Sequence, residues 1–340
     1  MKKLVCVGAC YVDTILDVPQ YPGEDSKLRA TNLQVRRGGN CPNTLQVLQQ
    51  LLRERHNNHN GQDGYDERDE GGRDLKPYLI SCLPSADAPA TVTIVDSFGP
   101  ESLVDFTRCI FREDHRQPAS SYIIRSEATG SRTLVNYNDL PEMTIGEFVA
   151  AAKDVGDDAW FHFEGRIPET TLQCIRHIRR SFPNSRVSVE VEKPGREGLE
   201  DLAAEADVVF YSRSWAESKR YVSAQQCLSV QSGVARKASL LCCTWGSDGA
   251  SCLSLPSEKA VSCPATLPGQ TISVVDTVGA GDTFIAGMLF GLLCHHEDWD
   301  TEKKVQFAVQ LATCKVQRDG FDGLGSLGLG LGRQEVASSQ

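Results

Sequence analysis

Val274-Val275-Asp276-Thr277-Val278-Gly279-Ala280-Gly281-Asp282-Thr283-Phe284 is the stretch on which the reading of this chain turns. A short apolar segment ends, small residues follow, and a helix begins. Gly279 and Gly281 let backbone N–H groups converge at the positive end of that helix, a natural place for an anion. An aspartate at the same spot, Asp282, would repel a phosphate. The conflict disappears if its carboxylate takes the proton of a hydroxyl that attacks a terminal phosphate. The N–H groups of Gly279, Ala280 and Gly281 would then stabilise charge on the group in transfer. Taken alone, the stretch also fits a plainer account, in which Asp282 caps the helix and the glycines make a turn.

Upstream of it, strands and helices alternate from Ala159 onward. Strands are expected at Trp160–Phe163, Val187–Val191, Val208–Tyr211 and Leu240–Thr244, with helices at Glu169–Phe182 and Gly198–Ala204 between them. Long apolar helices are expected within Thr277–Cys294 and over Glu302–Val316. That rhythm predicts an α/β fold, a parallel sheet wrapped by helices. Near the start, Leu4–Gly8 is a buried strand, and Asp17–Arg37 alternates like an exposed sheet. Gly38-Gly39-Asn40 opens a helix carrying Leu45, Leu48, Leu51 and Leu52. Tyr78–Leu83 and Thr91–Val95 are expected to be strands, and Pro100–Glu113 a helix with Leu103, Phe106 and Ile110 inward. Ser121–Ile124 and Thr133–Tyr137 form a hairpin. Residues 53–76 are almost wholly polar, cannot bury enough surface to offset their ordering entropy, and are expected to be a disordered insertion. One domain over residues 1–323 and a flexible tail over 324–340 complete the layout.

Composition narrows the function. At 340 residues with a net charge of −10, and without a basic stripe, the chain is a poor partner for nucleic acid or an anionic membrane. Asp13 and Asp17 interrupt the apolar start before it can serve as a signal peptide, and no stretch suits a membrane span, so a cytoplasmic location is expected. Thirteen cysteines without a C-x-x-C pair fit reduced, buried thiols better than disulfides or a zinc site.

Three elements in order, Gly8 with Asp13, Gly38-Gly39-Asn40-x-x-Asn43, and D-T-x-G-A-G-D-x-F over Asp276–Phe284, resemble the ribokinase family of carbohydrate kinases, the phosphofructokinase B type. The fingerprints of dinucleotide-binding and P-loop proteins are absent. Within the family, Val187-Ser188-Val189-Glu190-Val191-Glu192-Lys193-Pro194, His162-x-Glu164-Gly165-Arg166, Tyr21-Pro22-x-Glu24-Asp25-Ser26 and Gly320-Phe321-Asp322-Gly323 resemble the ketohexokinase branch.

The resemblance implies a ribokinase-like fold, a mostly parallel central sheet flanked by helices with a small β-sheet lid made of segments near 11–37 and 119–137. It implies ATP and Mg²⁺ as cofactors, a sugar as substrate, and a homodimer clasped through the lids. Asp13, Gly39, Asn40 and Asn43 would hold sugar hydroxyls, Asp282 would be the base, and Gly279–Gly281 would cradle the phosphoryl group. Arg132 resembles a lid arginine that approaches the phosphates. Gly246 and Gly249 resemble the loop beside the nucleotide, although glycines there also suit a tight turn. The family's metal-associated N-x-x-E reads Ser214-x-x-Glu217, leaving Glu217 and Glu190 as candidates for the metal. A strand points Glu190 and Glu192 to one face, where a structural pairing with Lys193 competes with a metal role. Asp276 resembles the loop that carries a potassium site in many relatives. The expected reaction is phosphorylation of a primary hydroxyl of a ketohexose such as fructose. The alternatives are a kinase for ribose, another sugar or a nucleoside, or a silent sensor that binds sugar or nucleotide.

Overall fold

In the first strand, β1 (Lys2–Val7), successive side chains join different cores: Leu4 and Cys6 face one side of the central sheet, Val5 and Val7 the other. A strand apolar on both faces lies between two layers of helices. The computed structural model describes residues 2–60, 75–266 and 271–327. After β1 come β2 (Tyr11–Val18), β3 (Asn32–Gly38), α1 (Asn40–Asn60), β4 (Leu75–Ile80), β5 (Cys82–Pro84), α2 (Pro89–Asp96) and β6 (Ile110–Arg112). Then follow β7 (Ala119–Ser126), β8 (Arg132–Tyr137), α3 (Ile145–Ala152), β9 (Ala159–Phe163), α4 (Pro168–Ser181), β10 (Arg186–Val191), α5 (Leu199–Glu205) and β11 (Val208–Tyr211). The remainder is α6 (Arg213–Ser218), α7 (Ala224–Gln231), β12 (Leu240–Thr244), β13 (Ala250–Ser254), β14 (Lys259–Cys263), α8 (Ala280–Cys294) and α9 (Thr301–Val316).

The main sheet has the order β14-β13-β12-β11-β10-β9-β1-β4, parallel from β12 to β4, with β13 and β14 antiparallel at one edge. Helices α1, α8 and α9 cover one face through Leu45, Leu48, Phe284, Leu289, Val305 and Leu311. Helices α3, α4, α5, α6 and α7 cover the other through Phe148, Ile175, Leu202, Trp215 and Leu228. The α/β reading of the sequence therefore stands.

A second, four-stranded sheet has the order β3-β2-β7-β8 and is built from the two segments read as a lid. Register places Val35, Thr14, Tyr122 and Val135 side by side on one face and Asp13, Ser121 and Asn136 on the other. The first face is apolar and open: Leu33, Val35, Tyr122 and Val135 are all at least half exposed. The second faces the main domain.

Four local expectations are corrected. Thr91–Val95 is not a strand but the middle of α2, whose start is set by Pro89 and whose buried residues, Thr91 and Ile94, sit three apart. Its β-branched composition favoured a strand, and packing of one helical stripe overrode it. Pro100–Glu113 is not a helix. The Asp105 side chain takes the Thr107 N–H, an aspartate turn, and the Asp105 backbone pairs with Pro77 and Leu79 beside β4. The polar segment does not begin at Arg53, because α1 continues to Asn60, with Arg55 buried and bonded to the Cys294 carbonyl at 3.1 Å. It also ends before Leu75, where β4 starts; the rest of that expected insertion, 61–74, lies outside the described residues. Leu324 is no loose tail residue: it is fully buried, and its N–H donates to Gln50 Oε1 at 3.2 Å. Residues 328–340 lie outside the described residues.

Candidate active site

Parallel strands aim their C-terminal ends at one side of the main sheet, and ligands of open α/β sheets bind there. In this chain that side, the inner face of the small sheet and the N-termini of α1 and α8 enclose a cavity of about 530 Å³. The volume is in the range that holds a small metabolite.

The glycine pair before α1 shapes one wall. A side chain at Gly38 would overlap the Asp13 carboxylate, and one at Gly39, whose φ is +106°, would overlap the Ala9 carbonyl. Only glycines let β3 turn into the helix while Asp13 stays against it. Asp13 is buried on the inner face of the small sheet, and burial raises its pKa.

Asn40 and Asn43 then project from the first turn of α1. The Asn40 amide donates to Glu190 Oε2 at 2.7 Å and to Glu192 Oε2 at 2.6 Å, and the Asn43 amide donates to Asp282 Oδ2 at 2.7 Å. Neither is an idle cap or a solvated surface residue. Asp282 lies in the first turn of α8, only 9% exposed, and Thr44 Oγ1 donates to its carbonyl at 3.2 Å.

Burial first, then the charge of Glu190, pushes the Asp282 pKa well above the usual carboxylate range. Glu190 is itself pushed up to about 8 by burial and by Glu192, and Glu164 to about 7 by burial and by Glu190. Four carboxylates thus face one another with too little positive charge between them. Glu164 accepts the Ala9 N–H at 2.9 Å, and His162 links Ser188 and Glu190 at 2.9 and 3.1 Å. Burial pulls the His162 imidazole down to about 3, so it is neutral. Cys41 joins His162 and Glu190 in a buried cluster of metal-ligand type. Burial raises the Cys41 thiol well above its ordinary pKa, so it is not a thiolate, and the His162 ring serves to orient Glu190.

At the head of α8, Gly279 takes a φ of +78°, and a side chain there would overlap the Phe321 ring. At Gly281 a side chain would meet no protein atom within 4 Å. Both glycines, with Ala280, line the cavity.

The remaining expected residues divide. Arg132 lines the cavity from β8. Glu217 does not: it pairs with Arg213 at 2.7 Å one helical turn away and is about half exposed, whereas Glu192 faces inward in its place. Ser214 stays at the wall and contacts Ser212 at 3.0 Å. Gly246 and Gly249 flank a short turn after β12 and are not among the cavity walls, to which β12 contributes Thr244. A side chain at Gly249 would overlap the Cys263 carbonyl, so the turn itself demands glycine there.

Asp276 is occupied. Its Oδ2 pairs with Lys315 at 3.0 Å and Arg36 at 3.3 Å, and its Oδ1 accepts the Val278 N–H at 2.9 Å. Lys315 is fully buried and also donates to the Asp276 carbonyl at 3.1 Å and the Arg318 carbonyl at 3.4 Å. An ammonium therefore fills the oxygen set around Asp276, which does not fit a potassium ion bound to that carboxylate.

Sequence reasoning assigned no role to Glu164, His162 or Lys315, and left Glu192 between a metal role and a pairing with Lys193. For Lys315 a signal existed: it follows Leu311 by four residues on the apolar stripe of α9, where a lysine needs a buried partner.

Residues 101–323 match the pfkB family of carbohydrate kinases. The chain is 30% identical over 330 residues to a ketohexokinase of Mus musculus, spanning 95% of this chain and 99% of that one. Its fold is similar to a ribokinase from Giardia lamblia, with a TM-score of 0.76 at 14% identity over 98% of this chain and 99% of that one. An Arabidopsis thaliana ribokinase complexed with ribose and ATP gives 0.73 at 17% identity over 98% and 99%.

Proposed function

Since the chain belongs to the pfkB family of carbohydrate kinases and is an ATP-dependent sugar kinase, we propose that it phosphorylates a primary hydroxyl of a ketohexose such as fructose, with Asp282 as the base. The observation that carries this reading is the placement of the Asp282 carboxylate. It is buried, held by Asn43, and set one residue beyond a glycine, Gly281, beside which the protein leaves open space.

A sugar in the cavity meets Asp13 from the small sheet and Asn40 and Asn43 from α1. A carboxylate and two carboxamides offer acceptors and donors together, as a polyol requires. Asp282 accepts the proton of the attacking hydroxyl. Its raised pKa makes it a strong proton acceptor once a cation beside Glu190 and Glu192 offsets their charge and Asp282 itself is ionised. The backbone N–H groups of Gly279–Gly281 and the dipole of α8 receive the negative charge of the group in transfer, and Arg132 approaches from the small sheet. Glu190 and Glu192 are hard oxygen donors lying side by side, crowded enough to favour a divalent cation, so they are the residues that would hold Mg²⁺. That ion supplies neutralisation of the phosphate charge.

The outer face of the small sheet supports a homodimer. Exposed Leu33, Val35, Tyr122 and Val135 on an open-edged sheet need cover, and a second copy presents the same face. Light scattering at micromolar concentration is expected to give twice the chain mass; a monomer overturns this part. Buried Cys6, Cys109 and Cys174 are free thiols, which supports a reducing, cytoplasmic location.

The substrate test is ADP release with a panel of ketoses, aldoses and nucleosides at saturating ATP. Ketoses are expected to show the highest kcat/KM. A nucleoside or ribose in first place overturns the sugar assignment, and no turnover of any sugar overturns the kinase reading.

A further inference from the structure

One buried charge near the cavity has no part in the chemistry above. Arg37 is the last residue but one of β3, directly before Gly38, and is only 7% exposed. Its guanidinium is used on every side. Nε donates to Ser97 Oγ at 3.0 Å, Nη2 to Gln46 Oε1 at 2.5 Å, and Nη1 to Asn43 Oδ1 at 3.0 Å, while its plane lies 4.5 Å over the Phe98 ring. Among the described residues no carboxylate forms an ion pair with it. A cation buried on neutral partners is costly, so packing alone is a weak reason for its presence.

Its contact with Asn43 has a directional consequence. A guanidinium is a donor only, so Asn43 must offer it the carbonyl oxygen. The Asn43 amide nitrogen is then forced to the opposite side, toward Asp282, and donates to its carboxylate at 2.7 Å. Without Arg37 the amide is free to turn its oxygen toward the carboxylate, where two acceptors repel. We propose that Arg37 is a positioning residue for the phosphoryl transfer: through Asn43 it sets where the Asp282 carboxylate points.

The inference rests on the reading of Asp282 as base and adds to it. Burial draws the Arg37 pKa down to about 10, offset by the nearby Cys10, Asp282 and Asp13, so the residue remains a cation at neutral pH. Its charge is therefore constant over the working range, and its effect is geometric and electrostatic rather than a titration.

A double-mutant cycle on turnover tests the proposal. kcat is measured by ADP release, with saturating ATP and the best sugar of the panel, for wild type, Arg37→Met, Asn43→Ala and the double variant, with thermal melts of each. Each single variant is expected to lower kcat by about 10- to 100-fold, the worth of a hydrogen bond to a charged group expressed as a rate. In the Asn43→Ala background, Arg37→Met is expected to cost less than about 3-fold, because the path it acts through is already gone. Arg37→Lys keeps the charge without the fork and is expected to stay near the Met variant in kcat. A purely structural role predicts normal kcat for the folded fraction, or effects that multiply in the double variant; either result overturns the proposal. If Arg37→Met does not fold, Arg37→Lys carries the same cycle, and if that also fails, Ser97→Ala does, since it frees one end of the guanidinium. Near-normal turnover in Asp282→Asn sinks the reading of the base itself. An inactive Asp282→Asn with independent Arg37 and Asn43 effects sinks only this inference.

Discussion

Asp276 and Asp282 stand six residues apart in one loop-to-helix motif and are almost equally buried, at 8% and 9% exposure, yet their surroundings are opposite. Asp276 is tied by Lys315, Arg36 and the Val278 N–H. Burial acts to raise its pKa, but the N–H bond and Lys315 outweigh it and hold the carboxyl below the usual range. Asp282 receives one amide hydrogen bond, faces Glu190, Glu192 and Glu164, and is pushed up. The first is a tether that anchors the loop to the end of α9. The second is a carboxylate left poorly compensated within the protein. Perturbed groups mark function best when the perturbation is unrelieved within the protein.

The widest separation between the two ends is expected in turnover. Asp282→Asn keeps size and the contact with Asn43 but cannot take a proton, so kcat is expected to fall by roughly 10²–10⁴-fold, the worth of a positioned base. Phosphoryl transfer has a loose transition state in which deprotonation comes late, which favours the lower end. Sugar and ATP affinity and the melting temperature are expected to hold or rise. Single-turnover rates decide, and a loss under about 3-fold removes Asp282 from the mechanism.

Asp276→Asn is expected to do the reverse. It strands the buried Lys315 ammonium, and breaking a buried pair costs about 3–5 kcal/mol. Lys315→Met removes the cation instead and leaves Asp276 to Arg36 and the Val278 N–H. Chemical denaturation of both variants measures the cost. A loss below about 1 kcal/mol in Asp276→Asn would show that the tether is not a stability element.

The two glycines between the aspartates sharpen the same division. Gly279→Ala requires a left-handed residue and displaces the Phe321 ring, so a stability loss of about 1–3 kcal/mol is expected. Gly281→Ala meets no protein atom, so its melt is expected to match wild type while the new methyl group crowds the phosphoryl path and lowers kcat about tenfold. Equal melts and equal rates for the two variants would erase the distinction.

The smallest effect is the pH dependence of these stability differences. Asp276 has a depressed folded pKa, so its contribution is present above the unfolded carboxylate pKa and is lost as pH falls through the folded value. The deficit of Asp276→Asn therefore shrinks in acid. Asp282 has a raised folded pKa, so its ionisation costs stability as pH rises from the unfolded carboxylate pKa toward the folded value, and any gain in Asp282→Asn grows over that interval. Melts from pH 3 to pH 8 would show opposite slopes for the two differences, and parallel slopes would contradict the electrostatic assignment.

Much of this was readable from the chain alone. Alternating apolar runs from Trp160 to Thr244 announce a parallel sheet, because strands buried on both faces need continuous apolar residues. The Gly38-Gly39-Asn40 and Gly279–Asp282 stretches announce helix starts, the second with backbone N–H groups suited to an anion, because spacing at a helix N-terminus is a local property. What sequence could not decide depends on which distant elements meet. Thr91–Val95 has strand composition and a helical fate set by burial of Thr91 and Ile94. Glu192, rather than Glu217, faces the cavity because Arg213 on the same helix claims the latter. Lys315, some forty residues from Asp276, fills its oxygen set, and Arg37 reaches Asp282 only through Asn43. Local propensity and spacing are written along the chain. The pairing of a buried charge is not, because its partner is selected by the packing of whole helices and sheets.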